Sequence, residues 1–310
     1  MNDLIIVGGG PAGVAGGVYA ARKRLKTLLV AEEIGGQSVV SEGIENWIGA
    51  TKLSGGELAK SFEAQLEALA GAPGSTLELA LGERAAKLER AASGFRLATQ
   101  SGKTFDTHAV LIASGAGRRK LEVPGAEQFE NKGLTYCASC DGPLFAGMDV
   151  AVVGGGNAGF ETALQLLAYC KSVTLIHRHK EFKADPVTVE KAKAHANMHL
   201  LPNAEPVEVV GEQFVTGLKY KERDSKEVQL LPVAGIFVEA GVVPNTDFAK
   251  DLLALDAVGR IAVDAKSQRA SVEGVWAAGD ATDELYHQNN IAAGDGVKAL
   301  EDIYLWLKKR

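Results

Sequence analysis

Short apolar runs alternate with glycine-rich turns and helix-period segments twice along the chain. Residues 4–33 read LIIVGGGPAGVAGGVYAARKRLKTLLVAEE, and residues 150–179 read VAVVGGGNAGFETALQLLAYCKSVTLIHRH. In each stretch a β-branched apolar run leads through glycines into a segment of helical period and then into a second apolar run, which predicts a strand–helix–strand unit. The pattern therefore predicts an α/β fold built from two related halves.

The two copies align without a gap, because each residue of the second copy lies 146 positions after its counterpart in the first. The spacing G-x-G-x-x-G requires glycine for a tight turn, for close approach of the backbone to a pyrophosphate, and for close helix-to-strand packing. The pyrophosphate then lies at a helix N-terminus, where free N–H groups and the helix dipole favour negative charge. Both copies carry this spacing, as Gly8, Gly10 and Gly13 and as Gly154, Gly156 and Gly159. We therefore predict two Rossmann-like dinucleotide-binding domains, the second inserted in the first.

The copies differ at the end of the second strand of each unit. In the first copy Glu32 stands there, 19 residues after the third glycine, and a carboxylate at this place can accept a hydrogen bond from a ribose 2′-hydroxyl. Its counterpart in the second copy is Arg178, flanked by His177 and His179, and a cation there suits the 2′-phosphate of NADP. The alternative is that Arg178 and Lys180 form a solvated surface cluster. The first copy is thus expected to bind FAD and the second to favour NADPH.

Two apolar runs mark the points at which the chain changes domain. Residues 109–115, AVLIASG, predict a buried strand ending in glycine, and residues 235–246, GIFVEAGVVPNT, mirror it. Residues 274–280 form a further apolar run, and residues 291–309 have helical character. The short crossings indicate that relative motion of the domains is a hinge rotation. The predicted domains are a discontinuous FAD-binding domain, residues 1–115 and 246–310, and an NAD(P)H-binding domain, residues 116–245, that carries a cysteine pair.

Composition narrows the class of protein. The 310 residues are 46% hydrophobic and 23% charged, which is typical of a globular chain, and the net charge of -6 argues against a protein that coats nucleic acid. The N-terminal apolar run is too short for a signal peptide, and no stretch approaches the ~18 apolar residues of a membrane helix. We therefore expect a cytoplasmic protein, with no nucleic-acid or membrane partner.

Two of the three cysteines, Cys137 and Cys140, are spaced Cys-x-x-Cys just before the second copy. Zinc would need two more ligands, and no second Cys-x-x-Cys is present, so no metal is expected. Two packed thiols remain an alternative, but redox chemistry is favoured, since a thiolate at a helix start is stabilised by the dipole. Asp141, the next residue, is either a proton donor and acceptor for thiol exchange or a helix-cap aspartate. The third cysteine, Cys170, is interpreted as a small core residue.

Six short motifs together carry a family resemblance over almost the whole chain: GGGPAG at 8–13, GGQ at 35–37, IENWIG at 44–49, CASCDG at 137–142, GGGNAG at 154–159 and AAGDAT at 277–282. In this order they resemble the low-molecular-weight thioredoxin reductases. The stretches CDGPLFAG and FKAD are more similar to the reductase portion of the alkyl hydroperoxide reductase flavoprotein, a close relative.

The resemblance implies a homodimer in which the outer segments hold FAD and the middle segment holds NADPH. It implies that Cys140 faces the flavin, that Cys137 attacks the disulfide of a partner, and that Asp141 is the acid/base. A helix beginning near Ile291 would direct its N-terminus at the flavin ring. The further cofactor-binding residues that the motifs imply are Pro11, Ala12, Gly36, Gln37, Asn46, Gly115, Gly279, Asp280 and Gln288 for FAD, and Asn157, His177, Arg178 and Lys183 for the nicotinamide cofactor.

One departure from the family pattern concerns the electron donor. The usual His-Arg-Arg followed by a further arginine is replaced here by His177, Arg178, His179 and Lys183. A neutral histidine carries no charge, and a lysine cannot donate two parallel hydrogen bonds as an arginine does. Binding of a 2′-phosphate is therefore expected to be weaker than in the family. NADH or ferredoxin therefore stays open as donor. The NADH-using relative has an acidic residue near this position and this chain does not, which favours NADPH.

The sequence thus predicts a thioredoxin-disulfide reductase that passes electrons from NADPH through FAD and the cysteine pair to thioredoxin or a thioredoxin-like protein. Two other classes of function stay open. A small-molecule dithiol oxidase of the same fold would not need the second glycine motif, and a non-enzymatic flavin-binding redox sensor would not need Cys-x-x-Cys-Asp.

Overall fold

A computed structural model describes residues 1–40, 44, 46–136 and 138–310, and for Val40, Ser139 and Cys140 the description covers the backbone. The described chain divides into two compact units. Unit 1 consists of Met1–Gly117 and Val243–Arg310, and unit 2 consists of Arg118–Val242. Along the chain, unit 2 is therefore an insertion in unit 1.

The elements follow one another as a mixture of strands and helices. The described strands are β1 (Asn2–Val7), β2 (Thr27–Ala31), β3 (Leu77–Leu81), β4 (Ala85–Ala91), β5 (Gly94–Thr99), β6 (Thr104–Ile112), β7 (Ala116–Arg118), β8 (Leu134–Thr135), β9 (Asp149–Val153), β10 (Ser172–His177), β11 (Met198–Pro202), β12 (Ala204–Gly211), β13 (Val215–Glu222), β14 (Val228–Pro232), β15 (Gly235–Val238), β16 (Val242–Pro244) and β17 (Val275–Ala277). The described α-helices are α1 (Pro11–Arg22), α2 (Gly55–Ala70), α3 (Ala138–Asp141), α4 (Asn157–Leu166), α5 (Pro186–Lys193) and α6 (Asn289–Leu307).

Unit 1 is built on a mostly parallel sheet in the order β3-β2-β1-β6, with β17 also paired to β6 in parallel. Strand β1 lies between β2 and β6, with Ile5 opposite Leu28 on one side and Val110 on the other. The strands β5 and β4 extend the sheet as an antiparallel hairpin beyond β6. The chain thus proceeds in opposite directions across the sheet on either side of β1, which creates a crevice beyond the carboxyl end of that strand.

Both faces of this sheet are covered, which explains the near-continuous apolar runs. Leu4 and Ile6 pack in a cluster with residues of α1, α2 and α6. Their neighbours Ile5 and Val7 point to the opposite face and pack with Phe95 and other residues of the hairpin.

Unit 2 repeats this architecture. Its parallel sheet has the order β11-β10-β9-β15-β8, with β9 in the place that β1 has in unit 1. Val150 and Val152 face α4 and α5, whereas Ala151 and Val153 face the antiparallel strands β12, β13 and β14. The duplication in the sequence is therefore a duplication of a whole layered unit.

The two chain crossings pair with each other, because β7 and β16 form a two-stranded sheet. Just before β7, the hydroxyl of Ser114 donates to the carbonyl of Asn245 at 2.7 Å, and the Asn245 side chain donates back to the Ser114 carbonyl at 3.0 Å. This reciprocal pair joins the residue that lies before β7 to the residue that follows β16, and both residues belong to unit 1.

No helix within the described ranges is both long and apolar enough to cross a membrane.

Candidate active site and cofactor sites

The first glycine turn follows β1 and leads into α1. Gly8 has φ +119°, and a Cβ there would lie 2.1 Å from the carbonyl oxygen of Ala113. A Cβ on Gly13 would lie 1.9 Å from the carbonyl oxygen of Gly8, so helix and turn touch through their backbones. Gly10, by contrast, would direct a Cβ into open space. Two of these glycines are therefore required by packing, and the remaining one leaves room for a ligand.

The second glycine turn, between β9 and α4, has the same geometry. Gly154 has φ +140°, with a hypothetical Cβ 2.1 Å from the carbonyl oxygen of Glu239, and a Cβ on Gly159 would lie 2.0 Å from that of Gly154. Gly156 again faces open space. Each open glycine is the N-cap of its helix, and a glycine cannot satisfy the first helical N–H groups with a side chain. Both turns therefore fit a pyrophosphate in shape and in donor chemistry.

The residues that begin the two helices have different surroundings. Pro11 occupies the first turn of α1, where its missing N–H costs no helical hydrogen bond. Ala12 follows and is buried, and a Cβ on Gly296 of α6 would lie 2.2 Å from its carbonyl oxygen. In α4, the first residue is Asn157, whose side-chain oxygen accepts from the backbone N–H of Asp185 at 2.8 Å.

Glu32 follows β2 directly, at the carboxyl edge of the unit 1 sheet. Its carboxylate is exposed and lies 3.6 Å from the guanidinium of Arg84. An acceptor for a ribose hydroxyl is therefore present at the place that the glycine spacing indicates.

Other predicted FAD residues converge on the start of α1 and of α6. Gly36, with φ +58°, would place a Cβ 3.1 Å from the Cα of Gly10. The turn at Gly279, with φ +72°, lies against both helices, since a Cβ there would be 3.4 Å from that of Ala12 and 3.2 Å from that of Ala292.

The side chains of Asn46 and Gln288 meet at the start of α6, where the Asn46 amide donates to the Gln288 amide oxygen at 3.1 Å. Asn290 adds a second link by donating to the Asn46 carbonyl at 2.7 Å. The helix begins at Asn289, with Gln288 as N-cap and no side-chain cap bond. The start of this helix is therefore open to a ligand.

The remaining predicted FAD residues lie at the same end of unit 1. Gln37 donates through its side-chain amide to the carbonyl of Ala116. Gly115 has φ +64° and faces open space. Asp280 is partly exposed, with its carboxylate 3.5 Å from Nδ1 of His287.

The second dinucleotide site is electropositive at the end of β10. Arg178 and Lys183 are exposed, and Arg223 donates from its guanidinium to the Arg178 carbonyl at 3.1 Å. Burial lowers the pKa of His179, and the cations Lys183, Arg178 and Arg223 lower it further. The backbone N–H of Lys183 is fixed to the Gly155 carbonyl at 2.8 Å. These cations can meet an anionic group on a ribose, whereas Lys180 is paired with Asp224 at 2.8 Å.

His177 has a different position from its charged neighbours. The residue is 8% exposed, and its ring stacks on Phe182 at 5.7 Å between centroids. Burial, followed by the charge of His179, lowers its pKa, so the ring is neutral near pH 7. A Cβ on Gly155 would lie 2.3 Å from Cγ of this ring, and Nε2 has no hydrogen-bond partner among the described residues. The His177 ring thus packs directly against the glycine turn, and its buried Nε2 is available to a ligand.

The cysteine pair lies between β8 and the second glycine turn. Cys137 is outside the described residues, and of Cys140 only the backbone is described, within α3. This helix has four residues, so few peptide dipoles add at its start. Asp141 makes no side-chain cap bond to the following turn, and its carboxylate instead accepts from the hydroxyl of Thr135, which is 5% exposed. The side chain of Asp141 is therefore held by the end of β8.

Cys170 is a free thiol buried at 5% exposure. Burial raises its pKa to about 11, so it stays protonated near neutral pH and is a poor nucleophile. Within the described ranges no group of three or more His, Cys, Asp or Glu could hold a metal ion.

Several site residues carry no signal in the sequence, because they come from distant parts of the chain. Arg84 and Arg223 approach Glu32 and Arg178 only through tertiary structure. Thr135 could have been found from its position six residues before Asp141, at the end of an apolar run. Gly9 and Gly155, the middle glycines of the two GGG runs, are also closely packed, but the spacing G-x-G-x-x-G does not specify them. A Cβ on Gly9 would lie 2.2 Å from the Glu33 carbonyl oxygen, and one on Gly155 would lie 2.3 Å from Cγ of His177.

Comparison with known proteins agrees with this geometry. The model of the pyridine nucleotide-disulphide oxidoreductase family matches residues 2–296. A subunit of alkyl hydroperoxide reductase from Staphylococcus aureus (strain Mu50) is 40% identical over 297 residues, covering 96% of this chain and 57% of that protein. A protein named NADH dehydrogenase, from Ferdinandcohnia aciditolerans, is 38% identical over 96% of this chain and 56% of its own length. The chain therefore spans little more than half the length of these curated relatives.

A solved structure resembles the whole chain. Thioredoxin reductase of Lactococcus lactis has a TM-score of 0.87 and 31% identity, with 100% of both chains covered. The predicted α/β class with two Rossmann-like domains is confirmed by this likeness. The family model describes pyridine nucleotide-disulphide oxidoreductases, and the solved structure is a thioredoxin reductase. The chain belongs to the pyridine nucleotide-disulphide oxidoreductase family, and within that family it is similar to the low-molecular-weight thioredoxin reductases.

Proposed function

We propose that the protein is a thioredoxin-disulfide reductase, which passes electrons from NADPH through FAD and the Cys137/Cys140 pair to a thioredoxin-like protein. The observation that carries this proposal is the matched pair of glycine turns. Gly10 and Gly156 both face open space at the start of a helix, which fits two dinucleotides in one chain. The redox pair stands in the sequence between these two turns.

FAD is assigned to unit 1. The turn after β1 can hold the pyrophosphate, and Glu32 can accept from the adenosine ribose. The start of α6, with Gln288 and Asn46 joined at 3.1 Å, supplies amide groups and uncapped helical N–H groups for the ring end. Bound FAD supplies the two-electron acceptor that connects the nicotinamide to the disulfide.

NADPH is assigned to unit 2. The turn at Gly156 can hold its pyrophosphate, and Arg178 and Lys183 offer cations to the 2′-phosphate. Burial lowers the pKa of His179, and the positive charges of Lys183 and Arg178 lower it further. These two cations therefore lie close together, as binding of one phosphate requires. NADH is the competing donor, because one relative is named NADH dehydrogenase and Arg178 is followed by a histidine in place of a second arginine.

Thiol exchange is assigned to the cysteine pair. The Cys137–Cys140 disulfide takes up two electrons and two protons and opens to a dithiol. Cys137, as thiolate, then attacks the partner disulfide and displaces one partner thiolate, which gives a mixed disulfide. Cys140 attacks the Cys137 sulfur, the reduced partner leaves, and the original disulfide is restored. Asp141, oriented by Thr135, takes up and returns the proton that each exchange requires.

The partner class follows from the family resemblance. A thioredoxin-like protein is the first candidate, and the homodimer typical of such reductases is the proposed assembly. The second candidate is a carrier linked to a peroxidase, since the relative from Staphylococcus aureus is named for alkyl hydroperoxide reductase.

The experiment is anaerobic. The purified yellow holoprotein is mixed with NADPH and, separately, with NADH, and the flavin absorbance is followed by stopped flow. We expect fast bleaching with NADPH, followed by reduction of added thioredoxin. Bleaching only by NADH would overturn the donor assignment, and bleaching by neither, with reduction by ferredoxin or a dithiol instead, would overturn the nicotinamide role of unit 2.

A further inference from the structure

Glu239 is a partly buried acidic residue beside the second glycine turn. It directly follows β15, and its backbone N–H donates to the Val153 carbonyl at 2.8 Å. Its carbonyl oxygen is the atom that a Cβ on Gly154 would meet at 2.1 Å. The residue therefore lies at the carboxyl edge of the unit 2 sheet, where the order of the strands reverses.

The carboxylate is only partly neutralised. Its side chain is 14% exposed, and Oε1 accepts from the hydroxyl of Thr162 at 2.9 Å and lies 3.5 Å from the guanidinium of Arg118. Both contacts are made by Oε1, whereas Oε2 makes no hydrogen bond among the described residues. Burial raises the pKa of this carboxyl, and Arg118 opposes that shift. Oε2 is not one of the buried polar atoms without a partner, so it is accessible from outside the protein. A ligand that donates a hydrogen bond to Oε2 would stabilise the charged carboxylate, which burial disfavours.

The order of the sheet tells which part of a dinucleotide reaches Glu239. Strand β9 lies between β10 and β15, and a dinucleotide extends across this point with its pyrophosphate at the glycine turn. Arg178, at the end of β10, lies on the adenosine side. Glu239, at the end of β15, lies on the opposite side, which is that of the nicotinamide nucleotide.

We propose that Oε2 of Glu239 accepts a hydrogen bond from the nicotinamide nucleotide half of the electron donor, from its carboxamide N–H or its ribose hydroxyls. The inference rests on the proposed function, in which unit 2 binds the nicotinamide cofactor. Thr162 and Arg118 orient the carboxylate through Oε1 and reduce its repulsion of the nearby pyrophosphate. Glu239 is thereby a binding residue for the half that carries the hydride.

The test compares whole cofactors with their adenosine fragments. Dissociation constants of NADP⁺ and of adenosine 2′,5′-bisphosphate are measured by calorimetry on the FAD-loaded protein, with NAD⁺ and 5′-AMP as the second pair of probes. The variants are Glu239→Ala, which removes the acceptor, and Glu239→Gln, which keeps the shape. Glu208→Gln is the control, because Glu208 is another ion-paired carboxylate of unit 2, 2.8 Å from Lys219.

We expect Glu239→Ala to raise the dissociation constant of the whole dinucleotide about tenfold, the loss of one hydrogen bond to a charged group. Glu239→Gln should raise it by a smaller factor, and the fragments should bind as to the wild type. Unchanged dinucleotide binding in both variants, or equal loss for dinucleotide and fragment, would overturn the inference. A wild-type protein that binds neither dinucleotide would instead overturn the proposed function. If Glu239→Ala does not fold, the Gln variant decides, with flavin content and melting temperature as the checks on folding.

Discussion

The hydroxyl of Thr135 donates to the carboxylate of Asp141, six residues further along the chain. Thr135 ends β8 and is buried, whereas Asp141 ends the short helix that contains Cys140. The bond fixes the acidic side chain that follows the redox pair to a strand of the unit 2 sheet. A side chain fixed in this way can exchange a proton with little reorganisation.

If Asp141 handles that proton, Asp141→Asn should lower the rate of thioredoxin reduction by roughly a hundredfold, the lower range of general acid–base catalysis. Thr135→Val should lower it by a smaller factor, because the carboxylate remains and only its orientation is lost. The measurement is steady-state turnover with thioredoxin alongside anaerobic flavin reduction by NADPH, which both variants should retain. Equal rates for Asp141→Asn and the wild type would show that Asp141 has no such role.

Cys137→Ser tests whether Cys137 is the thiol that attacks the partner disulfide. We expect flavin reduction by the nicotinamide to be intact and thioredoxin reduction to be abolished, because the attacking sulfur is missing. Stopped-flow bleaching and an insulin-coupled thioredoxin assay measure the two steps. Retained thioredoxin reduction in this variant would refute the assignment of Cys137 as the attacking thiol.

Cys170 provides the matched control for thiol chemistry. Its pKa of about 11 leaves it protonated at pH 7 to 8, and its thiolate fraction rises only as the pH approaches that value. We therefore expect Cys170→Ala to keep full turnover. In a Cys137→Ser/Cys140→Ser protein, Cys170 should resist iodoacetamide at pH 8 and react after unfolding, as followed by mass spectrometry. Rapid labelling of the folded protein would contradict its burial.

Arg178→Ala tests the choice of donor. Loss of a charged hydrogen bond to the 2′-phosphate should raise KM for NADPH about tenfold and leave KM for NADH unchanged. Lys180→Ala is the control, since Lys180 is also an exposed cation but is paired with Asp224. An equal rise of KM for both nicotinamides would indicate that Arg178 supports the site in general and does not read the 2′-phosphate.

The sequence was informative where one local pattern determines one local structure. The apolar runs around Leu4 and Val150 predicted strands, and the predicted fold class is confirmed. The contacts that complete the site could not be predicted in this way. Thr162 and Glu239 meet across 77 residues of chain, and Arg223 reaches Arg178 across 45. Such pairs depend on how hairpins and helices pack, and no periodicity or spacing in the sequence contains that information.

The two glycine turns allow a last test in which stability and binding are separated. Gly154→Ala places a side chain at φ +140° and 2.1 Å from a backbone oxygen, so we expect a loss of stability of at least about 1–3 kcal/mol. Gly156→Ala adds a Cβ to open space, where it costs no packing but occupies the place proposed for the pyrophosphate. Because alanine is a poorer N-cap than glycine, we expect a small fall in melting temperature, well below that of Gly154→Ala. The dissociation constant of NADP⁺ should rise. Gly10→Ala should likewise reduce FAD content. Gly56→Ala, also in open space but in the first turn of α2, should leave both FAD content and NADP⁺ binding unchanged. Normal NADP⁺ binding in Gly156→Ala would mean that the cofactor does not approach this turn.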